Sequence, residues 1–376
     1  MQFRDLKKQY QLLKSQIDAA VTQVMTDCNF ISGKQVKELE QRLADYVGVT
    51  HCISCANGTD ALKLAELAYG IGPGDAVFVP DFTFFSTAET VADIGATPFF
   101  VDVDPHTFNI CPAALGKAVE RVKAEGRLKA KAVVAVDLFG LPANYPQLEK
   151  VCRENGLILV EDGAQGFGGM IGGRRACSFG DIATTSFFPA KPLGCYGDGG
   201  AIFTNDDDIA ALIRSLCVHG KSGQDKYDNI RIGMNSRLDT IQAAILEVKL
   251  SAFADYELDS VNKAANMYTQ LLGGIVDTPV IPDNFYSSWA QYTLRLPDEQ
   301  SRNRLKAALE TKGIPTMVYY PRCMHQQGAF SHLPYNGECP NAENLCRTVL
   351  SLPMHPYLQD EDIELICKEI TSVSAV

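Results

Sequence analysis

The sequence predicts an α/β protein with a large, mostly parallel sheet domain followed by a smaller α+β domain. Over roughly the first 250 residues, short apolar runs alternate with amphipathic helical segments. Continuous apolar strands of this kind are typical of a parallel sheet that is covered on both faces. The candidate strands are His51–Cys55, Ala76–Pro80, Pro98–Asp102, Ala132–Asp137, Leu157–Asp162, Ile182–Phe187 and Ala201–Thr204.

Helical patterns separate these strands, and a different pattern follows them. The helical segments are Asp60–Ala68, Thr87–Gly95, Tyr145–Asn155 and Arg237–Leu250. Beyond them the sequence predicts a long helix, the strands Gln291–Leu296 and Thr316–Tyr320, and the helices Arg302–Lys312 and Asp360–Ile370. We therefore expect a large domain at 1–252 and a small domain at 253–376, with the N-terminal segment packing on the small one.

Composition favours a cytoplasmic protein that binds small molecules. The 376 residues are 46% hydrophobic, which allows a large core, and the net charge of −11 argues against a nucleic-acid surface. No apolar run is long enough to span a membrane, and residues 1–8 lack the apolar region of a signal peptide.

The twelve cysteines are expected to be reduced thiols, and no metal site is expected. Cys52 and Cys55 form a C-x-x-C, but they lie in an apolar run and no second pair follows at metal spacing. A buried strand is the favoured interpretation of that run. The six histidines are scattered along the chain.

One lysine lies in unusual surroundings for a charged side chain. Lys191 ends the apolar run Thr185–Ala190 and is followed by the glycine-rich segment Pro192–Gly200. Burial lowers the pKa of an amine and makes it a nucleophile that can form a Schiff base. Pyridoxal phosphate is the cofactor that most often uses such a lysine. Taken alone, the segment also fits a strand that ends in a tight turn with an incidental lysine.

Two further segments end strands with residues that suit this cofactor. Gly58 and Thr59 lie between an apolar strand and a helix, where free N–H groups bind phosphate, although simple helix capping is the alternative. Asp162 ends another strand and could keep a pyridine nitrogen protonated, with Gln165 near the phenolic oxygen. Capping of the next turn is the alternative for Asp162.

A hydroxyl and an aromatic ring complete the candidate site, and competing motifs fail. Ser186 could bind the phosphate, and Phe84 could stack on the pyridine ring, with core packing as its alternative. The stretch 166–171 lacks the last glycine of a dinucleotide fingerprint, which disfavours an NAD-dependent enzyme. The motifs G-x-x-x-x-G-K-[ST] and H-E-x-x-H do not occur.

Taken together, these motifs resemble the DegT/DnrJ/EryC1/StrS family of sugar-nucleotide aminotransferases. The matching segments are Asn57–Leu62, Phe82–Phe84, Glu161–Gln165, Ser186–Lys191, Gly197–Gly200 and Gly233–Leu238. The similarity extends from Phe3–Leu6 to Ser351–His355. The resemblance implies the type I, aspartate aminotransferase-like fold of pyridoxal-phosphate enzymes.

The resemblance also assigns roles to residues. It makes Lys191 the Schiff-base lysine. Dehydratases of the family carry histidine at this position, so the lysine favours transamination. It makes Asp162 the partner of the pyridine nitrogen and Gln165 that of the phenolic oxygen. The phosphate would be held by Gly58, Thr59 and Ser186. Asn235 would reach the cofactor phosphate of a neighbouring subunit, which implies a homodimer with shared active sites.

The resemblance implies L-glutamate as the amino donor and a keto-sugar nucleotide as the acceptor. Three segments have sequences most similar to those of family members that act on UDP-2-acetamido-2-deoxy-3-oxo-D-glucuronate in surface polysaccharide synthesis. These segments are Cys52–Leu62, Thr185–Asp206 and Ser351–Leu358. Arginine binds carboxylates in a bidentate way, so Arg231 is the candidate residue for binding the carboxylate of a uronate. The alternative is that Arg231 is an ordinary surface arginine on a loop.

One departure from the family and two other functions remain open. Tyr320 matches a sugar-contacting position, but Tyr319 stands where the family usually has histidine. A dTDP-keto-6-deoxyhexose 3- or 4-aminotransferase is the alternative within the same class. A catalytically silent regulatory protein with the same fold is the alternative from another class.

Overall fold

The computed structural model describes residues 1–222, 227–333 and 338–374. The helices are α1 Leu6–Asp27, α2 Lys34–Val47, α3 Gly58–Ala68, α4 Ser86–Asp93, α5 Pro112–Glu125, α6 Tyr145–Asn155, α7 Asp207–Leu216, α8 Thr240–Ala252, α9 Leu258–Leu272, α10 Glu299–Thr311, α11 Pro340–Thr348 and α12 Asp360–Ser374. The strands are β1 His51–Cys55, β2 Asp75–Pro80, β3 Thr97–Val101, β4 Lys129–Val136, β5 Ile158–Asp162, β6 Met170–Ile171, β7 Arg174–Arg175, β8 Ile182–Ser186, β9 Gly200–Thr204, β10 Phe285–Tyr286, β11 Tyr292–Arg295 and β12 Val349–Leu352.

A seven-stranded sheet, in the order β1-β9-β8-β5-β4-β2-β3, forms the centre of the molecule. Strands β8, β5, β4, β2 and β3 run parallel, and β9 is antiparallel to both of its neighbours. Each of the seven strands predicted for the large domain lies in this sheet. The predicted α/β class with a mostly parallel sheet is therefore confirmed.

Both faces of the sheet are covered, which explains why its strands are apolar throughout. Successive side chains of a strand point to opposite faces. In β2, Val77 and Val79 pack into one buried cluster with α3, while Ala76 and Phe78 pack into another with α5 and α6. All four side chains are fully buried.

The C-terminal part contains the antiparallel pair β11 and β12, packed with α9, α10 and α12. The predicted strand Thr316–Tyr320 is wrong, because only Met317 forms a bridge, to Ser351 in β12. Proline follows this segment and supplies no N–H to a ladder. The side chains of Val318–Tyr320 instead pack against a buried cluster beside the end of β2.

The N-terminal segment contacts both parts of the chain. Helix α1 packs Leu13 and Ile17 against α8. The Gln9 side chain donates a hydrogen bond to Glu257 (2.9 Å), which lies in a π-helical turn, Phe253–Glu257, between α8 and α9. The division at residue 252 stays a prediction. In the described ranges, no helix combines the length and apolarity needed to cross a bilayer.

Candidate active site

The carboxyl ends of the sheet strands bring the candidate residues to one edge of the molecule. Strand β1 runs parallel to β8, because both are antiparallel to β9 between them. The ends of β1, β2, β5 and β8 therefore lie on the same side of the sheet, where α/β proteins bind their ligands. Gly58, Phe84, Asp162 and Ser186 lie at or just after these four ends.

Asp162 is a buried carboxylate at the end of β5, with 5% of its surface exposed. Its Oδ1 accepts a hydrogen bond from the Ala164 N–H (3.2 Å), and its Oδ2 accepts one from the Thr87 hydroxyl (3.1 Å). Burial raises the pKa of Asp162, and the positive charge of Lys191 opposes that rise. The carboxylate is thus held by α4 and by its own turn, with an amine as its electrostatic partner.

Lys191 lies in a tight loop after β8 and is partly buried. Its N–H donates to the Phe188 carbonyl (2.8 Å), and Cys195 N–H donates to that of Phe187 (2.7 Å). Gly194 is required there, since a Cβ would lie 2.5 Å from the Phe188 oxygen. Burial lowers the pKa of the Lys191 amine, the Asp162 charge raises it, and the Arg4 charge lowers it further.

Arg4 is a site residue that carries no local signal in the sequence. Its Nη2 donates to the Lys191 carbonyl oxygen (2.6 Å) and lies 3.4 Å from that of Pro192. Burial lowers the pKa of Arg4 to about 10, and the charges of Glu257 and Tyr357 oppose part of this decrease. The N-terminal segment therefore holds the backbone of the lysine loop.

The N-terminus of α3 packs directly against the end of β8. An added Cβ on Gly58 would lie 2.7 Å from the Ser186 Cβ, so only glycine permits this approach. Asn57 caps the helix by accepting from the Asp60 N–H (2.8 Å). The Thr59 hydroxyl meets that of Ser86 in α4 (2.9 Å). Capping thus belongs to Asn57, and the hydroxyls of Thr59 and Ser186 lie at the N-terminus of α3, where the first backbone N–H groups of a helix can bind an anion.

Gln165 and Tyr320 form the opposite wall. Gln165 accepts a hydrogen bond from the Phe139 N–H (2.7 Å) and donates one to the Tyr320 hydroxyl (3.0 Å). The Phe84 ring lies 6.3 Å from that of Tyr320 and is 53% exposed, whereas Phe82 is buried in the core. Burial raises the pKa of Tyr320, which keeps its hydroxyl protonated.

Two predicted residues, Asn235 and Arg231, do not join this group within the single chain. Both are exposed. Asn235 accepts a hydrogen bond from Arg237 (2.6 Å), and Arg231 donates one to Ser215 (2.6 Å). Their loop is still tied to α3, because the Ser236 hydroxyl donates to the Asp60 carboxylate (2.6 Å).

Comparison with known proteins gives two close relatives over almost the whole chain. One is a UDP-2-acetamido-2-deoxy-3-oxo-D-glucuronate aminotransferase from Pseudomonas aeruginosa, 44% identical, with 99% of this chain and 100% of the relative covered. Another is called a pleiotropic regulatory protein, from Geobacillus stearothermophilus, 43% identical, with 97% and 96% covered.

Solved structures agree with these sequence matches. A DegT DnrJ EryC1 StrS aminotransferase from Brucella abortus superposes with a TM-score of 0.96 at 46% identity, covering 99% of both chains. DesV from S. venezuelae, solved in complex with a ketimine intermediate, superposes with a TM-score of 0.93 at 33% identity, covering 100% of this chain and 98% of its own. The family model for DegT/DnrJ/EryC1/StrS aminotransferases matches residues 11–371, and the chain belongs to that family.

Proposed function

We propose that this chain is a pyridoxal-phosphate-dependent aminotransferase that converts a 3-keto sugar nucleotide into the 3-amino sugar. The observation that carries the proposal is the pairing of Lys191 with Asp162. Asp162 ends β5, Lys191 lies in the loop after the neighbouring strand β8, and the charge of each opposes the pKa shift that burial causes in the other. Aminotransfer needs both groups at one cofactor.

The residues present fit pyridoxal phosphate. Gly58, Thr59 and Ser186 would hold its phosphate at the N-terminus of α3. Asp162 would pair with the pyridine nitrogen and Gln165 with the phenolic oxygen. Phe84, whose side chain is exposed at this edge, would lie against the pyridine face. When bound, the cofactor supplies an electron sink that stabilises negative charge on the α-carbon of the amino donor.

Lys191 would move the proton that this chemistry requires. A general base must be neutral to accept a proton, and burial favours the neutral amine. The neighbouring Asp162 carboxylate would then stabilise the protonated amine after transfer. Arg4 would fix the loop by donating to the Lys191 carbonyl.

For the substrates, we propose L-glutamate as the donor and UDP-2-acetamido-2-deoxy-3-oxo-D-glucuronate as the acceptor. The name of the Pseudomonas aeruginosa relative, at 44% identity, supports this acceptor. A uronate carries a carboxylate that a cationic side chain can bind, and the exposed guanidinium of Arg231 would form this contact. Tyr320 would contact the sugar from the opposite wall.

We also propose a homodimer with shared active sites. The loop that carries Asn235 and Arg231 presents large apolar side chains to solvent, with Tyr227, Ile230 and Ile232 exposed by 83%, 55% and 93%. Such side chains in one loop are typical of a surface covered by another subunit. In a dimer, Asn235 would reach the phosphate bound by the partner.

The cofactor assignment is tested by the visible absorption of purified protein supplemented with pyridoxal phosphate. The wild type should show a cofactor band that Lys191→Ala lacks. Lys7→Ala is a matched control, because Lys7 is an exposed lysine of α1 outside the candidate site. A wild type without the band after supplementation would contradict the proposal.

The acceptor is tested with a panel of keto-sugar nucleotides and glutamate as donor. Turnover with the UDP-3-oxo-uronate, and none with dTDP-4-keto-6-deoxyhexoses, is expected. The reverse pattern would favour the dTDP-sugar alternative. The name of the Geobacillus relative keeps a regulatory function as the second candidate. A protein that binds the cofactor but does not convert glutamate to 2-oxoglutarate would favour it.

A further inference from the structure

A buried cluster of sulfur, nitrogen and carboxylate donors lies beside the candidate active site but outside its proposed residues. Asp81 directly follows β2, while Cys323 and His325 lie shortly after Tyr320. One donor atom from each of Asp81, Cys323 and His325 lies within 4.8 Å of the other two. Asp81 and Cys323 have no exposed surface, and only 13% of the His325 side chain is exposed.

Two more thiols border this cluster. Cys339 precedes α11 and is 1% exposed, and its thiol interacts with the Asp81 carboxylate. Cys346, inside α11, places its Sγ 3.4 Å from that of Cys323. Three sulfurs therefore lie at or beside the imidazole and the carboxylate, and residues 323–346 supply all of these groups except the carboxylate of the distant Asp81.

We propose that this cluster is a structural binding site for a thiophilic divalent cation of the Zn²⁺ class. The ligands assigned are Cys323, Cys339, His325 and Asp81. Thiolate, imidazole and carboxylate are the ligands of zinc sites, and a structural zinc ion takes four of them in a tetrahedron.

For the three grouped ligands, Asp81, Cys323 and His325, the geometry requires only small movements. With Zn–S bonds of about 2.3 Å and Zn–N or Zn–O bonds of about 2.0 Å, the ligand atoms lie about 3.3–3.8 Å apart. The donor atoms of Asp81, Cys323 and His325 lie within 4.8 Å of one another, which exceeds that spacing by about 1 Å. Cys339 would complete the set through the contact of its thiol with the Asp81 carboxylate. His325 Nδ1 and Asp81 Oδ2, now 2.6 Å apart in a hydrogen bond, would both turn towards the ion.

The surroundings of the histidine also suit a metal ligand. Metal-bound histidines orient their second ring nitrogen with a carboxylate or carbonyl. Here His325 directs Nδ1 at the cluster, and its Nε2 lies 3.7 Å from the Glu343 carboxylate in α11. The backbone N–H of His325 donates to Asp81 Oδ1 (2.9 Å), which fixes the carboxylate as well.

Such an ion would tie the segment that carries Phe84 to the segment that carries Tyr320. Asp81 stands three residues before Phe84, and Cys323 stands three residues after Tyr320. The Met324 N–H already donates to the Asp81 carbonyl (2.8 Å). Removing the cation should therefore loosen the segment that carries Tyr320 without removing any group that acts on the cofactor.

The direct test is the metal content of protein expressed with zinc and dialysed against chelator-free buffer. The wild type should contain about one zinc per chain, and Cys323→Ser and Cys339→Ser less than about a tenth of that. Cys28→Ser is the matched control, since Cys28 is an exposed thiol, and it should retain the wild-type content. Cys346→Ser should also retain it, because Cys346 lies outside the assigned ligands.

A second measurement uses only the wild-type protein, so misfolding of a variant cannot affect its result. Cobalt titrated into metal-stripped wild type should produce a thiolate-to-cobalt charge-transfer band that saturates near about one equivalent. Absence of this band, or equal zinc in wild type and Cys323→Ser, would overturn the proposal. A Cys323–Cys346 disulfide in protein freshly purified from zinc-supplemented cells, before any metal is removed, would overturn it too. Zinc loss in Cys346→Ser would refute the ligand assignment.

Discussion

Replacing Arg4 by glutamine should both loosen the lysine loop and raise the pKa of Lys191. The guanidinium donates to the Lys191 carbonyl at 2.6 Å, and its positive charge lowers the pKa of the amine. Glutamine removes the charge and shortens the reach. The neutral fraction of the amine at a given pH should therefore fall, and the pH needed for its reaction should rise.

The size of the effect on the loop follows from the kind of hydrogen bond. A hydrogen bond to a charged group contributes about 1.5–3 kcal/mol to stability, and partial exposure of Arg4 favours the lower value. Since about 1.4 kcal/mol corresponds to a tenfold change in an equilibrium constant, the loop should leave its docked position roughly ten times more often. The contact to Pro192, at 3.4 Å, adds little.

The assay is the rate at which apoprotein takes up pyridoxal phosphate, followed by absorbance across a pH series. Uptake through the amine requires its neutral form, so the rate rises through the pKa of Lys191. Arg4→Gln should shift this curve to higher pH and lower its plateau. Arg4→Lys keeps the positive charge on a shorter side chain, so its curve should shift less than that of Arg4→Gln, while its plateau should still fall.

Lys7→Gln supplies the matched control, because it removes the same charge from the same segment at an exposed position. Its curve should superimpose on that of the wild type. If the Arg4→Gln curve also superimposes on the wild type while the protein stays folded, the assigned link between the N-terminal segment and Lys191 is refuted.

The remaining predictions concern the reacting groups, the substrate and acid stability. Lys191→Ala should lower kcat by about 10⁴-fold or more in a coupled glutamate assay, since proton transfer is lost. Asp162→Asn should lower kcat by about 10²–10³-fold with unchanged circular dichroism, because a neutral amide cannot keep a pyridine nitrogen protonated. Arg231→Gln should raise KM for the uronate by about tenfold or more and leave the KM for glutamate unchanged. Burial lowers the pKa of His355 to about 4, so the free energy of unfolding, measured with urea, should fall as pH drops from about 6.5 to about 4, less so in His355→Gln.

Each of these predictions has a contrary result. Residual turnover of Lys191→Ala near the wild-type rate, or a normal kcat for Asp162→Asn, would remove the proposed mechanism. A KM for the uronate that Arg231→Gln leaves unchanged would mean that another residue reads the carboxylate. For His355 the sign is fixed: the unfolded state binds the proton first, so stability rising towards acid pH would contradict its burial in neutral form.

The sheet could be predicted from the sequence because burial on both faces leaves a local signal. Strand β2 is apolar at four successive positions, since Ala76 and Phe78 face one cluster and Val77 and Val79 the other. The strand β12, by contrast, was not predicted, because its four residues, Val349–Leu352, directly follow a helix without a turn signal. Its existence depends on pairing with β11, which is a tertiary interaction.

The candidate site was predictable where it follows strand ends and not where it is built from distant segments. Asp162, Ser186 and Gly58 lie at strand or helix termini that the sequence marks. Arg4 contacts a backbone carbonyl 187 residues away, and nothing in its own neighbourhood indicates this. Thr87 likewise becomes the partner of Asp162 only because α4 packs over the end of β5.

Cysteine spacing shows the same limit. Cys52 and Cys55 have the spacing of a metal motif, but three residues apart in a strand they face opposite sides, and each packs into a different buried cluster. The strand interpretation of that run is confirmed. The proposed cation site instead gathers Cys323 and Cys339 around Asp81, at separations that no spacing rule covers.

The pairing of Lys191 with Asp162 rests on the order of the strands, and this order explains why the two charges can coexist. Burial favours the neutral form of both groups, since it raises the pKa of the acid and lowers that of the amine. Strands β5 and β8 are neighbours, with Asp162 paired to Thr184, so the loop after β8 returns the amine to the acid. Each charge then offsets part of the other's desolvation, whereas a sheet that separated these strands would leave each buried charge without its partner.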